Sequence, residues 1–307
     1  MKRLNSLLLA LALASPLAAQ PFTLDGEFAK QRKYYPSIEK YTSDRHDLDV
    51  KSDVIYKVVG SDTLRLDYFR PAGRQEPLTP LVFIHGGGWR SGDRSLDYPM
   101  AQNLARRGFA TFCVDYRLSD VALYPAGLQD INSALAFIAS HLSDFNVDIS
   151  RLTMIGSSSG GQMVALLGAA NGTVDKFSAG ETTPLIYRVI DIDGVLAFIH
   201  PDSAEGQDRP GKPAAATLWF GCTSTDNKAL WEEASAINHV GSQSAHFVFI
   251  NSQHKRFSAG QQEMSVKLKK NNKEVSVFKT TDTPHTFWLF LPWARLVEDV
   301  IASEAIR

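Results

Sequence analysis

Short apolar runs, bounded by glycine, proline or charged residues, alternate along most of this chain with longer stretches in which apolar positions recur every three or four residues. The first rhythm is that of buried strands, the second that of helices packed on one face. Strands are predicted over 81–85, 109–115, 152–156 and 188–194, with helices over about 97–107, 127–142 and 160–169. Further strands are expected at 246–250 and 275–280. Such alternation implies an α/β fold, a mostly parallel sheet with helices on both faces. Ahead of it, residues 54–59 and 64–69 flank Gly60-Ser61-Asp62, the pattern of an N-terminal antiparallel hairpin. Residues 20 to about 50 are polar with scattered aromatics (Tyr34, Tyr35, Tyr41) and read as a lead-in segment wrapping the domain.

Ligands bind sheets of this kind outside the carboxyl ends of the strands. At one such end the apolar run 152–156 breaks into Gly156-Ser157-Ser158-Ser159-Gly160 and restarts at helical spacing. A nucleophile raised on so tight a turn needs neighbours without bulk, and the helix behind it aims backbone N–H groups and a positive dipole end at the reacting oxygen. Ser158 is therefore the candidate nucleophile. The strand 81–85 runs into Gly86-Gly87-Gly88-Trp89, whose bare N–H groups can close on an oxyanion. We assign Gly87 and Gly88, with the N–H of Ser159, to that role. The spacing of Gly86, Gly87, Gly88 and Gly92 fits neither phosphate-cradling glycine motif. After the last predicted strand comes Pro284-His285-Thr286-Phe287-Trp288, from which His285 can reach the serine as general base. His85 is read as shaping the glycine loop.

With these pieces the chain resembles an α/β-hydrolase of the His-Gly-Gly-Gly esterase type, over roughly residues 50 to 305. Arg256-Phe257-Ser258-Ala259-Gly260 together with residues 284–293 resembles bacterial carbohydrate esterases acting on pectin or acylated xylan. The resemblance implies the chain order nucleophile, acid, base, and it leaves the acid open. In most relatives the acid follows the seventh strand, here 246–250, but Asn251-Ser252-Gln253-His254-Lys255-Arg256 contains no carboxylate. Asp202 and Glu205, beyond the sixth strand, occupy the other position from which this fold supplies it. Asp226, Asp282 and a neutral orienter such as Asn251 are rivals. Arg256 is a candidate clamp for a uronate carboxylate, against a structural salt bridge. Trp89, Trp288 and Trp293 are candidate stacking surfaces for sugar rings, against core packing. Asp115, Arg117 and Asp130 also match the esterase pattern and are expected to tie loops together.

Composition changes this picture little. With 307 residues, 44% hydrophobic and 21% charged, the chain can build one large core. A net charge of −1 carries no electrostatic footprint for nucleic acid or an anionic membrane. Met1-Lys2-Arg3, a short apolar run and small residues up to Ala19 describe a signal peptide over 1–19, too short for a membrane span, followed by one domain over 20–307. An exported protein, periplasmic or secreted, is expected. Cys113 lies in an apolar strand and Cys222 far from it, so free thiols are expected and no metal-ligand spacing exists. The expected activity is serine carboxylic-ester hydrolysis without cofactor or metal, acting on methyl or acetyl esters of a pectin-like polysaccharide or oligosaccharide. A serine exopeptidase on the same fold and a catalytically inactive carbohydrate-binding protein are the alternatives. The oligomeric state is open.

Overall fold

The computed structural model describes residues 22–178 and 180–307. The predicted signal peptide lies outside these residues. In chain order, helix α1 (Leu24–Gln31) and the two-residue strand β1 (Glu39–Lys40) precede the hairpin β2 (Leu48–Val59) and β3 (Asp62–Pro71). There follow β4 (Pro80–Ile84), α2 (Tyr98–Arg106), β5 (Ala110–Val114), α3 (Ala126–Ser140), α4 (Leu142–Phe145), β6 (Thr153–Ser157), α5 (Ser159–Ala170), α6 (Asp175–Ser178) and β7 (Arg188–Ile192). The chain continues through α7 (Ala215–Phe220), α8 (Lys228–Glu233), β8 (His246–Asn251), α9 (Gln261–Lys270), β9 (Val275–Lys279), β10 (Phe290–Leu291) and α10 (Trp293–Ala305).

The main sheet has eight strands in the order β2-β3-β5-β4-β6-β7-β8-β9, antiparallel at β2–β3 and β3–β5 and parallel from there on. This is the α/β-hydrolase fold. Its central strands are apolar on both faces because both faces are covered. In β4, Leu81 and Phe83 join the core beneath α2 and α10, while Val82 and Ile84 join the core beneath α3 and α5. The hairpin is longer than its apolar pattern suggested, since β2 keeps pairing with β3 through two register shifts. Conversely β7 stops at Ile192, two residues short of the predicted 194. That small difference decides the chemistry of the site.

The lead-in segment does wrap the sheet, and it carries an element of its own. β1 pairs antiparallel with β10, Glu39 opposite Leu291 and Lys40 opposite Phe290, which ties the segment to the chain just after His285. Helix α1 has only Leu24 and Phe28 on its apolar side, too little to announce a helix. Its Thr23 N-cap accepts from the N–H of Gly26 at 3.1 Å.

Buried charges tie the loops near the site. Asp130 is fully buried on α3 and is met by the Arg117 guanidinium at 2.7 and 2.9 Å and by Lys57 Nζ at 3.0 Å. Asp115 pairs with Arg94 rather than with Arg117. Cys113 and Cys222 are both free thiols. Removing Asp130 leaves two partly buried cations without their acid, so Asp130→Ala should lower unfolding free energy by about 3–5 kcal/mol. Denaturant melts followed by tryptophan fluorescence will check this, and a change below about 1 kcal/mol would refute it.

Candidate active site

Ser158 stands between β6 and α5 with φ 53° and ψ −119°, a conformation that ordinary residues avoid. Two backbone bonds hold it there. Its N–H donates to Ile192 O at 2.8 Å and its carbonyl accepts from Gln162 N–H at 2.9 Å. The flanking glycines are required by contact. A Cβ on Gly160 would lie 2.0 Å from Ile84 O, and one on Gly156 would lie 2.3 Å from Gly160 O. Only without those atoms can the helix start directly behind the serine.

Ser158 Oγ is 2.8 Å from His285 Nε2, and His285 Nδ1 is 3.0 Å from Asp193 Oδ2. Asp193 is fully buried, the first residue past β7, with φ 53°. Its other carboxylate oxygen accepts the N–H of Ser252 at 2.7 Å. The loop after β8, where the acid was sought, thus contributes a backbone donor that fixes an acid arriving from the neighbouring strand. Burial pushes the His285 imidazole below the ordinary histidine range, opposed by its bond to Asp193 and that carboxylate's charge. Phe257 stacks flat on the imidazole with centroids 3.7 Å apart, and Trp288 meets it edge-on at 5.2 Å. Asn251 does not orient His285; its amide donates to Phe257 O at 3.3 Å and accepts from Gln261 at 2.6 Å, holding the ring that holds the histidine.

Neither Asp202 nor Glu205 contacts His285, which corrects the expectation for the acid. Asp202 is exposed beside His200, and its N–H donates to His200 Nδ1. Glu205 is buried and lies 2.7 Å from Arg256 Nη2. Burial raises the Glu205 pKa, with Arg256 pulling it back. Asp226 closes its own turn by accepting from Thr223, and Asp282 sits at φ 53° in an exposed turn. The sequence reading missed Asp193 because Ile190-Asp191-Ile192-Asp193-Gly194 looks like strand throughout. The Asp-Gly pair at its end is a turn signal that could have found it.

In the glycine loop, Gly87 has φ 130° and Gly88 φ 62°. A Cβ on Gly87 would sit 1.8 Å from Ser91 O, so this position admits no side chain. Among the described residues no protein acceptor takes the N–H of Gly87, Gly88 or Ser159. His85 is buried under the loop, its Nδ1 2.8 Å from Gly86 O and its ring stacked on Tyr116. Trp89 is only 3% exposed, its face stacked on Trp219 at 4.8 Å and its Nε1 donating to Gln162, so that face is not free for a sugar. Trp293 packs edge-on against Tyr35 at 5.5 Å.

Two cavities meet at Ser158. One is an open cleft of about 780 Å³ walled by the glycine loop, Arg256, Thr286, Trp288 and residues of α1. The other is a small cavity of about 50 Å³, walled by Gly88, Trp89, Val195, Ala215 and Phe257 beside Ser159. No group of His, Cys, Asp and Glu side chains among the described residues could hold a metal ion. Among them no helix is long and apolar enough to cross a membrane.

Comparison with known proteins agrees with this architecture. The chain is 25% identical over 211 residues to the esterase LipQ of Mycobacterium tuberculosis, covering 65% of this chain and 48% of that protein. It is 26% identical over 151 residues to an acetyl esterase of Salmonella paratyphi B, covering 48% and 45%. The chain thus spans about half the length of the curated relatives it matches. A truncated carbohydrate esterase from gut microbiota superposes with a TM-score of 0.70 at 17% identity, covering 88% of this chain and 100% of that one. Esterase B of Lactobacillus rhamnosis does so at 0.67 and 18%, covering 92% and 94%. Residues 66–271, which carry the glycine loop, Ser158 and Asp193 but neither α1 nor His285, match BD-FAE. The chain belongs to the BD-FAE family of α/β-hydrolases.

Proposed function

We propose that this protein is an exported serine ester hydrolase that removes acetyl groups from a carbohydrate. The observation that carries the reading is the continuous chain Ser158–His285–Asp193, meeting the small cavity on one side and the open cleft on the other. The cavity of about 50 Å³, several times the ~10–15 Å³ that admits one water on the same measure, has room for an acetyl-sized group. The larger cleft then takes the alcohol, a sugar. A methyl ester of pectin would reverse this, with the polysaccharide as acyl group and the small cavity left for methanol. The name of the Salmonella relative, an acetyl esterase, agrees with the first arrangement. Export rests on the charged start and apolar run in residues 1–19.

In the reaction, Ser158 Oγ attacks the acetyl carbonyl as its proton passes to His285 Nε2. Negative charge builds on the carbonyl oxygen, and the N–H groups of Gly87, Gly88 and Ser159 receive it. The sugar oxygen leaves with the proton from His285, forming an acetyl-serine. Water, deprotonated by the same nitrogen, then releases acetate and restores Ser158. Asp193 keeps its charge, fixes the tautomer with Nδ1 protonated, and stabilises the transient imidazolium.

Ser158→Ala should abolish release of p-nitrophenol from its acetate ester and block labelling by a fluorophosphonate; full activity would end the hydrolase reading. Asp193→Asn should lower kcat roughly 10⁴-fold by stabilising the wrong tautomer, while Asp202→Asn should stay within about twofold, as expected of an exposed residue remote from the imidazole. Equal losses in the two variants would count against Asp193. Because His285 must be neutral to accept a proton and burial holds its pKa down, the acid limb of kcat/KM should have its midpoint below the ordinary value of 6.5. A midpoint clearly above 6.5 would contradict that assignment.

A further inference from the structure

One wall of the cleft comes from outside the family-matched region. Helix α1 presents Thr23, Gly26, Glu27, Lys30 and Gln31 to the same space that contains Ser158 and His285. The helix is fixed against the base. Thr286, the neighbour of His285, donates its hydroxyl to Glu27 Oε1 at 3.1 Å in a buried contact. Tyr41 N–H donates to Leu289 O at 2.9 Å, β1 pairs with β10, and Phe28 packs on Phe290. A wall held this way keeps a constant distance from the reacting atoms, as a subsite must.

Its chemistry is that of a polyol site. Glu27 is buried and gathers Lys30 Nζ at 3.2 Å and Gln31 Nε2 at 2.5 Å, which leaves the Gln31 carbonyl and further Lys30 N–H donors for a ligand. The cations are already balanced. Lys30 faces Glu27, and Arg256 faces Glu205 at 2.7 Å. A cleft with fixed donors and acceptors but paired charges suits the hydroxyls of a neutral sugar. A uronate carboxylate approaching Arg256 would meet a guanidinium whose charge the buried Glu205 already offsets.

We infer that α1 forms the alcohol-side subsite of this enzyme, with Lys30 and Gln31 as specificity-determining residues that bind the hydroxyls of a neutral acetylated glycan. The inference rests on the hydrolase reading above. The experiment compares wild type, Lys30→Ala and Gln31→Ala on acetylated xylo-oligosaccharide, acetylated oligogalacturonide and p-nitrophenyl acetate. Each variant should lower the ratio of kcat/KM on the neutral oligosaccharide to that on p-nitrophenyl acetate about tenfold, one hydrogen bond to a charged or fixed partner, with the loss in KM rather than kcat. Both positions are solvent-accessible, so the variants should fold, and p-nitrophenyl acetate turnover in the same preparations reports on the catalytic groups. An unchanged ratio overturns the subsite. A loss confined to the galacturonide overturns the neutral-sugar assignment. A wild-type protein inactive on p-nitrophenyl acetate removes the hydrolase reading, and the subsite with it.

Discussion

Helix α5 begins with its first turn pressed against the carbonyl oxygen of Ile84, a contact that only the hydrogen of Gly160 allows. That approach does three things at once. It brings β4 and its glycine loop beside the start of the helix, so Gly87 and Gly88 line the same cleft as Ser158. It goes with the positive φ of Ser158, whose Oγ lies 2.8 Å from His285 Nε2. It also lets Gly161 sit over Asp191, where a Cβ would come within 2.3 Å of the carboxylate. The strain at Ser158 is held by two backbone hydrogen bonds, one of them to the carbonyl of Ile192 at the end of β7. The same strand end therefore secures the serine and delivers Asp193. Ser158 and Asp193 share a foundation, and His285 is the part that comes from elsewhere.

How much of this could be read without coordinates depends on the kind of signal each residue leaves. Ser158 and Gly87 stand out because crowding excludes a side chain at Gly87, Gly156 and Gly160, Gly88 adds a positive φ, and exclusion shows in a sequence. His285 stands out by position, on a loop past the last strand of the main sheet. Asp193 leaves no such mark. It sits in a run whose alternation with isoleucines is that of a strand, and the strand ends two residues earlier than the pattern suggests. The place where the acid was sought holds Ser252, whose contribution is a backbone N–H, and any residue but proline can supply that. Glu205 and Arg256 were singled out separately, but sequence distance hid that they meet each other.

Helix α1 escaped notice for a different reason. Eight residues with Gly26 in the first turn and two apolar positions do not make a helix on their own. The helix exists because its contacts with Thr286 and Phe290 stabilise it, and those partners are more than 250 residues away along the chain. Likewise Trp89, which has the residue type of a sugar platform, is consumed by its stack on Trp219. Residue type suggests what a side chain can do; neighbours from distant elements decide whether its surface is free.

The pairing of β1 with β10 has a consequence for the order in which the cleft can be assembled. A chain emerging from the ribosome can close the β2–β3 hairpin and begin stacking β4 to β6 early, and Ser158 will already sit on its turn. Until residues 286 to 291 are out, however, Glu27 has no Thr286 hydroxyl to receive and β1 has no partner. The cleft wall built by α1 is therefore the last part of the site to be secured, since its partners on β10 follow nearly all the other described residues along the chain.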